Sequence, residues 1–284
     1  MAAALWNVAG EKIDFRQGPV IMGVVNVTPD SFSDGGEFFE CNSAVEHARR
    51  MAGDGARILD IGGESTRPGA EAVPQEEELN RVLPVITRLS RMPDAPLISI
   101  DTTKAAVARQ AIDGGAHIIN DTSGGRADAA MMPLAAERRA GFIIMHMQGT
   151  PRTMQVEPHY DDVVAEVWEF FRQQYTCALD CGIDSMALAF DPGIGFGKTL
   201  QHNLELLRNL ESLRIGDRPL VVGVSRKSFL GKITNSRAIE ERLAPTVAMT
   251  ALLRERGANV IRVHDVKPNV AALQVTEALL TRDR

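Results

Sequence analysis

The 284-residue chain is poor in cysteine, holding only Cys41, Cys177 and Cys181, the last two one helical turn apart with no further ligand beside them. Three thiols are too few for a disulfide framework, and a zinc site needs four close donors, so the cysteines fit a reducing compartment. Aromatic residues are also scarce, at 5% with two Trp and two Tyr, and no run of Lys or Arg interleaved with them occurs. With a formal net charge of -6, that excludes a sequence-independent nucleic-acid binder. No uninterrupted apolar stretch is long enough to span a bilayer, and the opening MAAALWNV has no basic region followed by a long apolar core. The expected protein is cytoplasmic, with no membrane or nucleic-acid partner.

Several catalytic signatures are missing as well. The stretch DPGIGFGKT at 191–199 is not a Walker loop, which would need glycine where Pro192 stands, nor a dinucleotide motif, which would need it at Lys198. There is no His-x-x-x-His helix and no Gly-x-Ser-x-Gly elbow, so zinc hydrolysis and Ser-His-Asp acyl transfer have no support. His47, His117, His159 and His202 lack matching partners in the sequence and read as surface or satisfied histidines.

What is present is a rhythm. Short apolar segments rich in β-branched residues recur at 19–27, 57–61, 97–100, 117–119, 142–145, 186–190, 220–224 and 260–263. Between them lie amphipathic stretches at 42–54, 75–90, 104–114, 160–182, 200–213 and 245–257, several closed by the glycine that a helix end favours. No linker interrupts the alternation. It predicts one domain over residues 1–284, an α/β fold of the (β/α)8 TIM-barrel type, with residues 1–18 as an N-terminal extension in which 11–16 forms a hairpin at the barrel bottom. A doubly wound open sheet is the rival, although it usually has five or six strands.

The polar residues fall at one end of this pattern. The eight segments close on Asn26, Asp60 with Glu64, Asp101, Asn120 with Asp121, His146, Asp191, Ser225 to Lys227, and Arg262 to Asp265. A single such residue is often a helix cap. Eight of them, in a parallel barrel, form a ring around the mouth at the C-terminal face. Within it, Arg67, Arg262 and His264, with Thr66 and Asn26 nearby, make an anion subsite the size of a diphosphate. Asp101, Asn120, Asp191 and Lys227 suit an aminopyrimidinone edge, although Asp101 and Asp191 could instead serve only to neutralise Lys227. These residues leave the reaction open.

At these positions the chain resembles a known family. The segments MGVVNVTPDSFSDGG (22–36), DIGGESTRPG (60–69), SIDTTK (99–104), INDT (119–122), MHMQGT (145–150), DPGIGFGK (191–198), GVSRKSFLG (223–231) and RVHDVK (262–267) resemble those of the dihydropteroate synthases, folate-pathway enzymes inhibited by sulfonamides. The resemblance implies a transferase that condenses 6-hydroxymethyl-7,8-dihydropterin diphosphate with p-aminobenzoate, giving 7,8-dihydropteroate and diphosphate. By similarity, Asp101, Asn120, Asp191 and Lys227 would hold the pterin, with Met145 on its flat face, a position that could equally be core. Asn26 would be the Mg2+ contact, and Thr66, Arg67, Arg262 and His264 the diphosphate contacts. Phe196 and Ser228, with Pro29, Phe32 and Pro68 as apolar lining, would receive p-aminobenzoate, its carboxylate at the start of the helix after the seventh strand. Asp101, Lys227, Arg262 and His264 would carry catalysis.

An aniline is a neutral nucleophile at pH 7, so no strong base is required, and direct attack or a preformed cation would use the same residues. The loops after the first two strands, flanked by Gly35-Gly36 and Gly62-Gly63, would be lids that exclude water. The resemblance further implies a homodimer and sulfonamide sensitivity. A methyltetrahydrofolate methyltransferase domain and a non-catalytic pterin-binding protein are the alternatives.

Overall fold

Segments such as Ile-Met-Gly-Val-Val at 21–25 carry apolar residues at consecutive positions, which suits a parallel strand covered on both faces. The structure, a computed structural model, describes residues 5–28, 36–66 and 69–280. Leu5–Val8 (β1) and Glu11–Asp14 (β2) pair as an antiparallel hairpin, so the hairpin expected within 11–16 instead spans 5–14: 11–14 is only its second strand, and Phe15–Gln17 is a 3-10 turn. Eight parallel strands follow: Val20–Asn26 (β3), Ile58–Gly62 (β4), Leu97–Asp101 (β5), Ile118–Asp121 (β6), Gly141–Met145 (β7), Leu188–Asp191 (β8), Val221–Gly223 (β9) and Val260–Val263 (β10). They hydrogen-bond in the order β8-β7-β6-β5-β4-β3-β10-β9. A parallel bridge from Phe190 to Leu220 links the two outer strands and brings the sheet round into a nearly closed barrel rather than an open doubly wound sheet.

Nine helices are described around the strands: Gly36–Gly53 (α1), Gln75–Leu89 (α2), Ala105–Asp113 (α3), Met131–Arg138 (α4), Val163–Asp180 (α5), Leu200–Arg208 (α6), Ser228–Thr234 (α7), Leu243–Glu255 (α8) and Val266–Leu280 (α9). The sequence pattern named neither α4, α7 nor α9. It also started α1 six residues late and ran α6 on to 213, where the chain instead passes into a separate 3-10 turn, Leu210–Leu213. α5 begins at Val163 rather than at Tyr160, because the Asp162 side chain accepts from the backbone N–H groups of Val164 and Ala165 and so fixes the start.

Two apolar layers hold the barrel. The outer one joins strand residues such as Ile21, Leu59, Ile98 and Phe142 to the helices. The inner one is a floor: Met22, Ile58, Leu97, Ile118, Ile143, Ala189, Val221 and Val260 point into the barrel and meet Trp6, Val8, Ile13 and Phe15 from the hairpin side. Trp6 is fully buried and its Nε1–H donates to the Ala187 carbonyl at 2.8 Å. The hairpin thus stoppers the N-terminal end of the barrel.

Candidate active site

Side chains in a strand alternate faces, so residues two and four beyond an inward-pointing floor residue also point inward, one layer nearer the C-terminal end. Counting up from Met22, Ile58, Leu97, Ile118, Ala189 and Val260 gives Asn26, Asp60, Ser99 and Asp101, Asn120, Asp191 and Arg262. The polar ring is therefore the continuation of the apolar floor. Register makes it compact: Asn26 lies opposite Gly62, Gly62 opposite Asp101, and Asp101 opposite Asn120, so four adjacent strands present one row.

The centre of the ring is an ionic cluster. Arg262 donates through Nε to Asp60 Oδ2 at 2.6 Å and through Nη2 to Asp101 Oδ2 at 2.8 Å, while Asn120 Nδ2 donates to the same Asp60 oxygen at 3.1 Å. Asp101 therefore pairs with Arg262 and not with Lys227, and Arg262 reaches across from β10 to carboxylates on both β4 and β5. Burial first, and the neighbouring Asp60 second, push the Asp101 carboxyl up to about 7 against the pull of Arg262. Burial alone would lower the Arg262 guanidinium, but Asp60 and Asp101 hold it above its ordinary value.

Across the mouth, Asp191 is 6% exposed and accepts from the Gly193 N–H at 2.7 Å. Burial raises its carboxyl, and Lys227 opposes that shift. Lys227 donates to the Ile194 carbonyl, and its Nζ lies 4.7 Å from the centre of the Phe196 ring. Burial draws its ammonium down to about 8, Asp191 opposing. Phe196 packs with Met145, Met147 and Met154 in a small apolar cluster of its own, beside the polar ring. Ser228 is exposed as the first residue of the short α7.

At the other end of the ring, the His264 backbone N–H donates to Ser225 Oγ at 3.1 Å and its Nδ1 lies 3.0 Å from the same oxygen. Arg226 forms a two-pronged pair with Asp265 at 2.8 and 2.6 Å, so the ends of β9 and β10 are tied together. Asn26 and Thr66 are half-buried. Phe32, Arg67 and Pro68 lie outside the described residues, as do 29–35 of the first expected lid. The root of the second is anchored: Arg81 donates to the Gly63 carbonyl at 2.7 Å, and Lys104 bridges Glu64 to the fully buried Glu78, 2.6 Å from its Oε2.

Sequence reasoning gave Asp60 no role beyond a polar strand end, and it passed over Lys198, whose Nζ is 2.9 Å from His146 Nδ1. The signal for Asp60 was available, since it stands two residues beyond an inward-pointing Ile58. Of the four unassigned histidines, the Nδ1 of His117 accepts from the Ile98 N–H and that of His202 from the Thr199 N–H, closing a helix cap, whereas His47 is half-buried on α1 and His159 is exposed.

A family model described as pterin binding enzyme matches residues 22–264. The dihydropteroate synthase of Escherichia coli K12 is 46% identical over 272 residues, covering 96% of this chain and 95% of that protein. The Xanthomonas albilineans dihydropteroate synthase solved with 4-aminobenzoic acid superposes with a TM-score of 0.92 at 44% identity, over 99% of this chain and 100% of that one. The same enzyme in complex with 7,8-dihydropteroate gives a TM-score of 0.88 at 42% identity, over 98% and 100%. A nearly closed barrel with a polar mouth over an apolar floor, matched in this way, is a pterin-binding enzyme. More narrowly, the chain belongs to the dihydropteroate synthase family.

Proposed function

We propose that this chain condenses 6-hydroxymethyl-7,8-dihydropterin diphosphate with p-aminobenzoate to give 7,8-dihydropteroate and diphosphate. The observation that carries the reading is the row of Asp101 and Asn120 in register, tied through Arg262 and Asp60 into one inward-facing cluster opposite Asp191 and Lys227. Chromatographic detection of 7,8-dihydropteroate from the two substrates tests it, and its absence with an intact, pterin-binding protein would contradict it.

In this reading Asn120 and Asp191 take the N–H and nitrogen edge of the pterin, Lys227 its carbonyl oxygen, and Met145 its flat face. The ionised Asp101 stabilises positive charge as it develops at the ring and its methylene. Thr66, Arg67, Arg262 and His264 take the oxygens of the departing diphosphate. Asn26 offers a neutral, hard oxygen donor at the end of β3, which fits a Mg2+ that keeps most of its waters. When bound, that ion supplies charge neutralisation at the diphosphate. Phe196, Phe32 and Pro68 flank the aromatic ring of p-aminobenzoate, and Ser228 receives its carboxylate at the opening of α7.

The assembly in this reading is a cytoplasmic homodimer. Its support is an apolar face on α8 and α9, where Val275 is 63% and Leu279 80% exposed beside a groove of about 540 Å³. Sedimentation of the pure chain at the monomer mass would sink the dimer. Among the described residues no helix is long and apolar enough to cross a membrane.

A further inference from the structure

Lys198 is a buried amine that the proposed chemistry does not use; burial draws its ammonium down to about 7, Asp191 opposing. It is 3% exposed, and its three acceptors are neutral: His146 Nδ1 at 2.9 Å, the Phe196 carbonyl at 3.0 Å and the His146 carbonyl at 3.4 Å. Burying an amine on such partners costs stability and a good part of its basicity, so its position asks for a reason. Where Lys198 is the donor in this bond, the His146 ring proton stands on Nε2. Burial, and Lys198 after it, hold that ring neutral, its value drawn down to about 2.

What Lys198 fastens is the turn that carries Phe196. In this turn the Phe196 N–H closes back on the Gly193 carbonyl at 3.0 Å. Tyr160 Oη donates to the Gly197 carbonyl at 2.8 Å, Gln155 Nε2 to the Gly195 carbonyl at 2.8 Å, and the Gly195 N–H to Asn203 Oδ1 at 2.7 Å. The backbone also lies directly on the exit of β7: a Cβ at Gly193 would stand 1.9 Å from the His146 carbonyl, and one at Gly197 2.5 Å from the Gln148 carbonyl. These bonds all go to the backbone of the turn, leaving the Phe196 ring to lie between Lys227 Nζ and the methionine cluster. Among the described residues, Lys198 is the side chain that bonds the Phe196 peptide itself and the β7 exit at once.

We propose that Lys198 is a positioning residue for the second substrate: by joining the Phe196 carbonyl to His146 it sets the height of the Phe196 ring over Lys227, and so the shelf on which the aryl amine lies. The inference rests on the reading of Phe196 as a p-aminobenzoate contact. Pterin binding draws on β5, β6 and β8 residues, on Met145 at the end of β7 and on Lys227; Met145 and Lys227 touch the Phe196 ring but are not bonded to Lys198, so the loss of Lys198 should weigh on the second substrate first.

The test uses the full chain with Lys198→Met, Lys198→Gln, Phe196→Leu and the Phe196→Leu/Lys198→Met double variant. Lys198→Met should raise the KM for p-aminobenzoate about tenfold, the scale of a misplaced aromatic contact. The kcat at saturation and the calorimetric Kd for the dihydropterin diphosphate should stay within about twofold. Lys198→Gln, which keeps an N–H for the Phe196 carbonyl, should recover most of the loss. The double variant should be no worse than Phe196→Leu alone. Equal losses for both substrates, or additive effects in the double variant, would overturn the assignment. So would failure of both Lys198 variants to fold, which would make the residue structural. A Phe196→Leu enzyme with unaltered KM for p-aminobenzoate would instead remove the reading beneath it. A raised KM in Phe196→Leu with none in Lys198→Met would leave that reading and remove only the role of Lys198.

Discussion

Arg262 Nη2 donates to Asp101 Oδ2 at 2.8 Å while its Nε is committed to Asp60 at 2.6 Å, so one guanidinium serves two carboxylates from neighbouring strands. Asp60 is fully buried and Asp101 lies nearer the mouth, so the two carboxylates are an inner and an outer one joined by a shared cation.

Removing the inner carboxylate should be costly. Asp60→Ala strips the buried partner from Arg262 and an acceptor from Asn120, and breaking a buried pair in this way costs about 3–5 kcal/mol. Urea denaturation measures it. A change within about 1 kcal/mol would show that water replaces Asp60 without loss.

The same cluster predicts a narrow pH profile. The proposed reaction uses Asp101, held up at about 7 by burial and then by Asp60, in its ionised form and Lys227, drawn down to about 8 by burial, in its protonated form. The kcat/KM for the pterin substrate should rise through about pH 7 and fall through about pH 8. The groups that face Asp101 are Asp60, Arg262, Glu78 and Asp121. Stability has its own sign: because the folded value of Asp101 lies above the ordinary 3.8, its contribution is complete below that value and is lost as pH rises through about 7. A flat rate profile from pH 6 to 9 would contradict this assignment.

Gly193 has a φ of 62° and no room for a side chain, with the His146 carbonyl 1.9 Å from where a Cβ would stand. Gly193→Ala should therefore lower the melting temperature by at least several degrees, since the strained backbone alone costs about 1–3 kcal/mol. Thermal unfolding followed by circular dichroism reads this directly, and an unchanged melting temperature would refute the close approach.

The barrel floor makes a contrasting prediction. Trp6→Ala should destabilise the chain by about 3–5 kcal/mol, the usual cost of deleting a buried aromatic. The turnover of the molecules that remain folded should stay within about twofold, because the plug lies at the opposite end from the ring. Chemical denaturation and an activity corrected for folded fraction check both halves.

The legible part of this fold is the part with simple periodicity. All eight barrel strands were visible as apolar segments, because strands covered on both faces need such residues at every position. α4 and α7 escaped because they are eight and seven residues long, with Pro133 inside the first and Gly231 inside the second. α9 escaped for another reason: its apolar residues run round the helix, Leu273 buried within and Val275 and Leu279 outside, so no single stripe marks it. The strand ends gave the ring of polar residues, but not its pairing. Which carboxylate takes Arg262 depends on register between β4, β5 and β10, strands far apart in sequence. Lys198 was hidden because a lysine after a glycine-rich turn resembles a surface residue until the turn is seen folded onto β7.

The most direct test of the central claim is diphosphate release from the dihydropterin diphosphate with magnesium, measured with and without p-aminobenzoate in the wild-type chain, Asp101→Asn and Lys227→Ala. The account predicts release that requires p-aminobenzoate and falls by at least about a hundredfold in both variants, the scale of losing a group that stabilises transition-state charge. No release from a wild-type chain that binds the pterin tightly would contradict it, leaving a pterin-binding barrel without the transfer reaction.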